Sequence, residues 1–336
     1  VSVTESPERL LVVQVARIGD TLLVTPALRA LKAAFPGSRL TVLAHPARRE
    51  LLRGLTYIDR LGAITPQTAW LRGRWPSPER FDYALVYGHD APLVRYAARV
   101  AERVVAFASR DARLNTLLWK AVPPPAGPVH AVEERLLLPA ALGVTTTDRR
   151  LDYRVLPPEA AAADAWLARH LPAQPRPLVG FQLASFPTKA YRDWPIESFA
   201  ALGRRLLESY PSAHLLLLGG QESRARAAAL ARALGPRAVP LAGRFALRMT
   251  AALMSRLDLY VGVDTGPTHL AGALRIPMVA LYHCRHRGRY LAPLEHNRVH
   301  VIEHPASDAD CTSATPMSAI DVQRVWEAAQ ALLEPH

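Results

Sequence analysis

Residues 261–274 read VGVDTGPTHLAGAL, and their order is that of a short apolar strand delivered into a helix through Asp264, Thr265, Gly266 and Pro267. A strand that ends in an acidic residue and opens a glycine-containing helix start is a place where a phosphate can sit. Unpaired backbone N–H groups and the positive end of the helix dipole attract the anion, while Asp264 can accept hydrogen bonds from ribose or sugar hydroxyls. The same residues equally suit an ordinary strand-to-helix turn of an α/β protein, so the rest of the chain has to choose.

The same alternation runs outward in both directions. Upstream, Leu10–Ala16, Leu40–Ala44, Tyr83–Tyr87 and Val104–Phe107 read as buried strands, with a helix over Leu22–Phe35. Downstream of a proline-bracketed stretch from Leu156 to Pro177, strands are expected at Leu178–Leu183, His214–Leu218, Leu259–Val263 and Pro277–Tyr282. Helices are expected at Phe199–Tyr210, Ser223–Leu234 and Leu247–Arg256, and a last amphipathic helix at about Ser318–Leu333. Strands that alternate with helices build parallel, doubly wound sheets, here in two Rossmann-like halves. The 336 residues are enough for two cores.

Composition narrows the chemistry. Half the residues are apolar, yet no apolar run approaches the roughly 20 residues of a membrane span, and the opening VSVTESPE has no signal-peptide pattern. A cytoplasmic protein is expected. The two cysteines, Cys284 and Cys311, agree with a reducing compartment and exclude a disulfide framework. The net charge of +12 calls for an acidic partner. Only Lys32, Lys120 and Lys189 are lysines, so 41 − 3 = 38 basic residues are arginine. Dispersed arginines without a common nucleic-acid-binding motif argue against nucleic acid as that partner.

Four stretches can carry chemistry. In RIGDTLLVTPALRAL (17–31) Arg17, Gly19 and Asp20 follow the first strand, where ligands bind in doubly wound folds; Asp20 is otherwise a helix cap. Pro26 either opens a helix that begins at Thr25 or kinks a longer one. In GFQLASFPTKAYRDWPIESF (180–199) Lys189 stands out as a compact point charge able to neutralise a diphosphate, or as an exposed loop lysine; Trp194 and Pro195 read as structural, ahead of a helix from Ile196. LGGQES (218–223) reads as a tight turn. In YHCRHRGRY (282–290), His283, Cys284 and His286 match no common zinc spacing, and the loop is read as cationic groups near a phosphate. P-loop, dinucleotide-binding and nucleophile-elbow motifs are absent.

Taken together, RIGDTLLVTPALRALKAAFPGSRL, GFQLASFPTKAYRDWPIESFAALGRRL, LLLGGQES and LDLYVGVDTGPTHLAGALRIPMVALY resemble the family 9 glycosyltransferases, the heptosyltransferases of lipopolysaccharide core synthesis. The resemblance implies a GT-B fold, two Rossmann-like domains facing a central cleft. The expected acceptor domain spans 1–157 and is joined by the C-terminal helix, 318–336; the expected nucleotide-sugar domain spans 176–317. It implies inverting transfer of heptose from ADP-heptose to a lipopolysaccharide core acceptor, with Asp20 as general base and Lys189 at the leaving diphosphate. Asp264, Thr265, Gly266, Pro267, Thr268 and His269 would hold the donor, with Arg192 able to take the place of Lys189. Arg17, Arg48, Arg49, Arg53 and Arg113, and beside them Arg72, Arg74 and Arg110, could meet an acidic glycolipid at the cytoplasmic face of the inner membrane, in peripheral contact. Neither cofactor nor metal is implied, since the cysteine cluster of iron-binding relatives is reduced here to Cys311. The alternatives are another nucleotide sugar, another glycan or protein acceptor, or nucleotide-sugar epimerisation.

Overall fold

The computed structural model describes residues 6–72, 79–172 and 175–334, which form two compact units dividing between Arg154 and Val155. The first unit runs β1 (Arg9–Gln14), α1 (Ile18–Leu23), α2 (Thr25–Ala34), β2 (Arg39–Ala44), β3 (Arg60–Ala63), α3 (Pro66–Arg72), β4 (Phe81–Tyr87), α4 (Ala91–Val100), β5 (Ala101–Phe107), α5 (Ala112–Asn115), β6 (Lys120–Val122) and α6 (Ala131–Ala140). Its six strands are all parallel, in the order β3-β2-β1-β4-β5-β6. Both faces of the central strands are covered. Leu10, Val12 and Leu85 pack under α2 and α6, and Leu11, Val13 and Val86 pack against α4, which is why these strands read as continuous apolar runs.

The expected single helix over 22–35 is two helices. Thr25 opens α2 with Pro26 in its first turn, where a missing N–H costs nothing. Thr25 Oγ1 donates to Leu22 O, and α1 precedes as a separate short turn. Two of the three lysines are absorbed by this unit: Lys32 pairs with Asp59 at 2.8 Å, and Lys120 donates to Ala141 O.

The second unit runs α7 (Pro157–His170), β7 (Leu178–Gln182), α8 (Ile196–Ser209), β8 (His214–Leu218), α9 (Arg224–Leu234), β9 (Ala238–Pro240), α10 (Leu247–Met254), β10 (Leu259–Val263), α11 (Gly266–Ala273), β11 (Met278–Tyr282), α12 (Gly288–Leu291), β12 (Val299–Glu303) and α13 (Val322–Leu333). Its parallel sheet is ordered β12-β11-β10-β7-β8-β9. Counted from the first strand of each unit, the two sheets share one winding, 3-2-1-4-5-6. Trp194 is fully buried, donates Nε1–H to Ile320 O and meets Phe199 edge-on, which bears out its structural reading.

Two expectations about boundaries change. The helix in the proline-bracketed stretch, α7, is part of the second unit, held to α10 by Glu159 and the nearly buried Arg248 and to the turn after α10 by Asp164 and Arg256. The last helix, expected to join the first domain, buries Val325, Ala328, Ala329 and Leu332 in the core of the second unit. Residues 335 and 336 of that expected segment lie outside the described residues.

Candidate functional site

In each sheet the winding reverses once, between β1 and β4 in the first unit and between β7 and β10 in the second. The crevice at the carboxyl ends of such a strand pair is where doubly wound folds bind ligands. The conspicuous segments after β1, β7 and β10 all leave the sheet at these points.

In the first unit, β1 hands over to α1 with Arg17 as the flanking residue and Asp20 in the first turn. The alternative of Asp20 as a helix cap is therefore corrected, because the chain is already helical there. Thr21 Oγ1 bonds Arg17 O, and the buried Gln14 side chain donates to Asp20 O at 2.9 Å, which ties the turn to the end of β1. The Asp20 carboxylate is partly exposed and receives Arg135 Nη2 on Oδ1 at 2.7 Å. A pocket of about 210 Å³ opens here between Asp20, Arg135, Tyr87, His89 and Phe107.

The expected acceptor arginines follow the carboxyl ends of neighbouring strands. Arg48 shares a hydrogen bond with His45, Arg49 begins a 3₁₀ turn over Arg49–Leu52 that packs beside α1, and Arg53 follows that turn. Arg113 is exposed on α5 and Arg110 is exposed just before it. Arg72 ends α3, and Arg74 lies outside the described residues.

In the second unit, β10 delivers Asp264 to the start of α11. Asp264 is 4% exposed, and its Oδ2 receives Arg192 Nη1 at 2.6 Å while His269 Nε2 stands 3.9 Å from Oδ1. Thr265 flanks the helix and Pro267 stands in its first turn. Thr268 is buried, bonds Val263 O through Oγ1 and shares a bond with the Tyr260 hydroxyl at 3.0 Å. Thr268 N–H is bonded to Thr265 O and Pro267 has no N–H, so among the described residues the amides of Thr265 and Gly266 are those of this helix start open to an anion. Thr268 thus uses both its amide and its hydroxyl to hold the turn.

Lys189 and Arg192 belong to a tight turn over Pro187–Arg192 after β7. Asp193 closes the turn by accepting from Ser185 N and Oγ and pairing with Arg226. Tyr191 is its hub: Lys189 Nζ lies 5.9 Å and Arg192 Cζ 5.8 Å from its ring centroid, and its hydroxyl meets His286 Nε2 at 2.8 Å. Among the described residues Lys189 has no carboxylate partner, whereas Arg192 is committed to Asp264. Burial, with Arg192 and Lys189 adding to it, pushes the His286 imidazole down to about 4. Burial likewise lowers that of His283.

The 282–290 loop differs from its expectation in one respect. Cys311 is far along the chain but next to Cys284 in space, and the two form a disulfide with Cα atoms 5.8 Å apart. His283 Nε2 bonds Thr315 O and His304 Nε2 bonds Pro316 O, and these contacts bring the 311–316 segment back beside the loop. The cysteines, read as excluding a disulfide framework, thus supply one bridge. His283, Cys284 and Cys311 place their ligand atoms within 4.8 Å of one another, but the bridge occupies both sulfurs and His283 Nδ1 accepts from Arg285 N. His286 bonds the Tyr191 hydroxyl, and the Tyr191 ring meets His283 edge-on at 5.1 Å.

Arg135, Tyr191 and Asp193 were not singled out by sequence reasoning. Arg135 is separated from Asp20 by 115 residues, so no local motif could pair them. Tyr191 stands in the quoted 180–199 segment, where an aromatic between two cations was the available signal.

The sequence profile of glycosyltransferase family 9 (heptosyltransferase) matches residues 90–319. Lipopolysaccharide heptosyltransferase 1 of Pseudomonas aeruginosa is 28% identical over 295 residues, covering 82% of this chain and 78% of that protein. A family 9 glycosyl transferase from Veillonella parvula superposes with a TM-score of 0.86 at 20% identity, covering 97% of both chains. ADP-heptose lipopolysaccharide heptosyltransferase II of Escherichia coli superposes with a TM-score of 0.81 at 21% identity, covering 97% of this chain and 98% of that one. At such identity the two structures establish the fold.

Proposed function

The chain belongs to glycosyltransferase family 9, and from that premise we propose that it moves heptose from ADP-heptose to a lipopolysaccharide core acceptor with inversion at the anomeric carbon. Glycosyl transfer replaces epimerisation as the reaction. The names of the relatives support heptose and ADP as the donor's parts. The observation that carries the reading is the Arg192–Asp264 pair at the start of α11, at the switch point of the second sheet, with Lys189 and Arg192 both beside the Tyr191 ring.

In this reaction an acceptor hydroxyl attacks the anomeric carbon, the bond to the diphosphate oxygen breaks, and ADP leaves with the electron pair. Asp20 takes the hydroxyl proton as the attacking oxygen becomes acidic. The departing diphosphate carries the largest developing charge, so cations and an amide aimed at it do the most for the rate. Lys189 fills that role better than Arg192, since Arg192 is already paired. Asp264, Thr265 and His269 hold hydroxyls of the donor. Arg17, Arg48, Arg49, Arg53 and Arg113 offer cations to the phosphates and carboxylates of the acceptor. None of the helices described is long and apolar enough to cross a membrane; contact with the cytoplasmic face of the inner membrane would rest on charge.

The test is calorimetry with ADP, UDP, GDP and ADP-heptose, followed by transfer assays on Asp20→Ala. Preference for ADP and its heptose conjugate is expected, with transfer abolished and donor binding intact in the variant. Preference for UDP or GDP would replace the donor, and loss of donor binding on changing Asp20 would make that residue structural.

A further inference from the structure

The base reading of Asp20 leaves open how a partly exposed carboxylate on a six-residue helix is held still. We propose that Arg135, on α6, is the positioning residue: it fixes Oδ1 of Asp20 and leaves Oδ2 to receive the acceptor's proton. This rests on Asp20 being the base.

Arg135 is itself held from several sides. Its Nη1 donates to Ala131 O at 2.9 Å and to Glu134 Oε2 at 3.1 Å, while Nη2 reaches Asp20 at 2.7 Å. Its main-chain oxygen accepts the Tyr87 hydroxyl at 2.9 Å, which ties α6 to the end of β4. The first turn of α6 is capped by His130 Nδ1, which accepts from Val132 N. The guanidinium is therefore the fixed partner and the Asp20 carboxylate the one being aimed. Among the described residues no donor meets Oδ2, and the carboxylate lines the same pocket as Arg135 and Tyr87.

Stability alone is a poor account of this arrangement. Arg135 Nε is buried with no hydrogen-bond partner among the described residues, a cost that a side chain selected only to staple α1 to α6 would avoid. The contact to Asp20 is the single Nη2–H···Oδ1 bond, but the planar guanidinium is held through Nη1 by Ala131 O and Glu134, so that bond has a set direction, which a freely rotating ammonium would not give. Proton transfer needs that direction, and a misplacement of about 1 Å can cost roughly 100-fold in rate.

The experiment measures heptosyl transfer from ADP-heptose to a heptose-deficient lipopolysaccharide, with R135A, R135K and D20N beside the parent. R135A is expected to lose about 100-fold in kcat with KM for ADP-heptose and thermal unfolding unchanged. Millimolar guanidinium should restore part of the loss, which a structural defect would not allow, and R135K should lie between. Should R135A fail to fold, R135K decides alone: a loss in kcat of about tenfold or more at constant KM supports the inference, and a parental kcat overturns it. D20N separates the two readings. If D20N is inactive while R135A keeps the parental kcat, Asp20 stands and Arg135 does not; if D20N transfers normally, the base reading fails and this one with it.

Discussion

At the scale of single residues, the Arg192–Asp264 pair is the most consequential contact in the second unit. Both side chains are largely withdrawn from water, at 16% and 5% exposure. A buried carboxylate that loses a guanidinium partner keeps the desolvation cost without that compensating attraction. Arg192→Ala should therefore destabilise the protein by roughly 3 kcal/mol, read as a lower midpoint in urea unfolding. Arg192→Ala with Asp264→Asn together should recover much of that loss, because no uncompensated charge remains. Equal loss in the single and double variants would show that the pair is not what the stability rests on. Lys189 makes no such contact among the described residues, so its replacement should spare stability and reduce transfer.

At the scale of elements, the turn over Pro187–Arg192 and the 282–290 loop behave as one unit through Tyr191 and its histidines. His286 and His283 are held neutral by burial, and the unfolded chain has its imidazoles near 6.5. Between about 6.5 and the value of about 4 for His286, the unfolded state binds protons that the folded state refuses. Stability is thus full above the upper limit and falls as the pH drops through that window. Urea unfolding at several pH values should show this slope, and His286→Gln, which keeps a partner for the Tyr191 hydroxyl, should flatten it. An unchanged slope would mean that His286 is not the group responsible.

The same scale explains what could be read from sequence. The four central strands of each sheet were anticipated, β8 and β10 to the residue, because burial on both faces makes them unbroken apolar runs. The four not anticipated, β3, β6, β9 and β12, are the outer strands of the two sheets. They span three to five residues and are partly exposed, so neither an apolar run nor a clean alternation marks them. Of the site, the parts contiguous in sequence were legible, as in the passage from Asp264 to His269. The contacts between Asp20 and Arg135, and between Cys284 and Cys311, depend on where separate loops return, which no local pattern encodes.

At the scale of the whole molecule, the excess of 12 positive charges acts through the solvent. Attraction of exposed arginines to an anionic surface weakens with screening, whose length shortens from about 10 Å at 0.1 M salt to about 3 Å at 1 M. Co-sedimentation with vesicles containing anionic lipid should therefore decline steeply over that range, and vesicles of neutral lipid should not retain the protein. Salt-independent retention would point to an apolar contact in place of charge.

The ion pair at the start of α11 also bears on selectivity. Even with Lys189 as the main cation at the diphosphate, a ligand that drew Arg192 toward its phosphates would take that guanidinium from the buried Asp264 unless the same ligand brought hydroxyls to it. Inorganic phosphate or pyrophosphate satisfies one half of that exchange, and a nucleotide sugar satisfies both. Under the proposed function, the ion pair would thus demand two chemical features at once and disfavour the simple anions that crowd a cell, before any contact with the base is made.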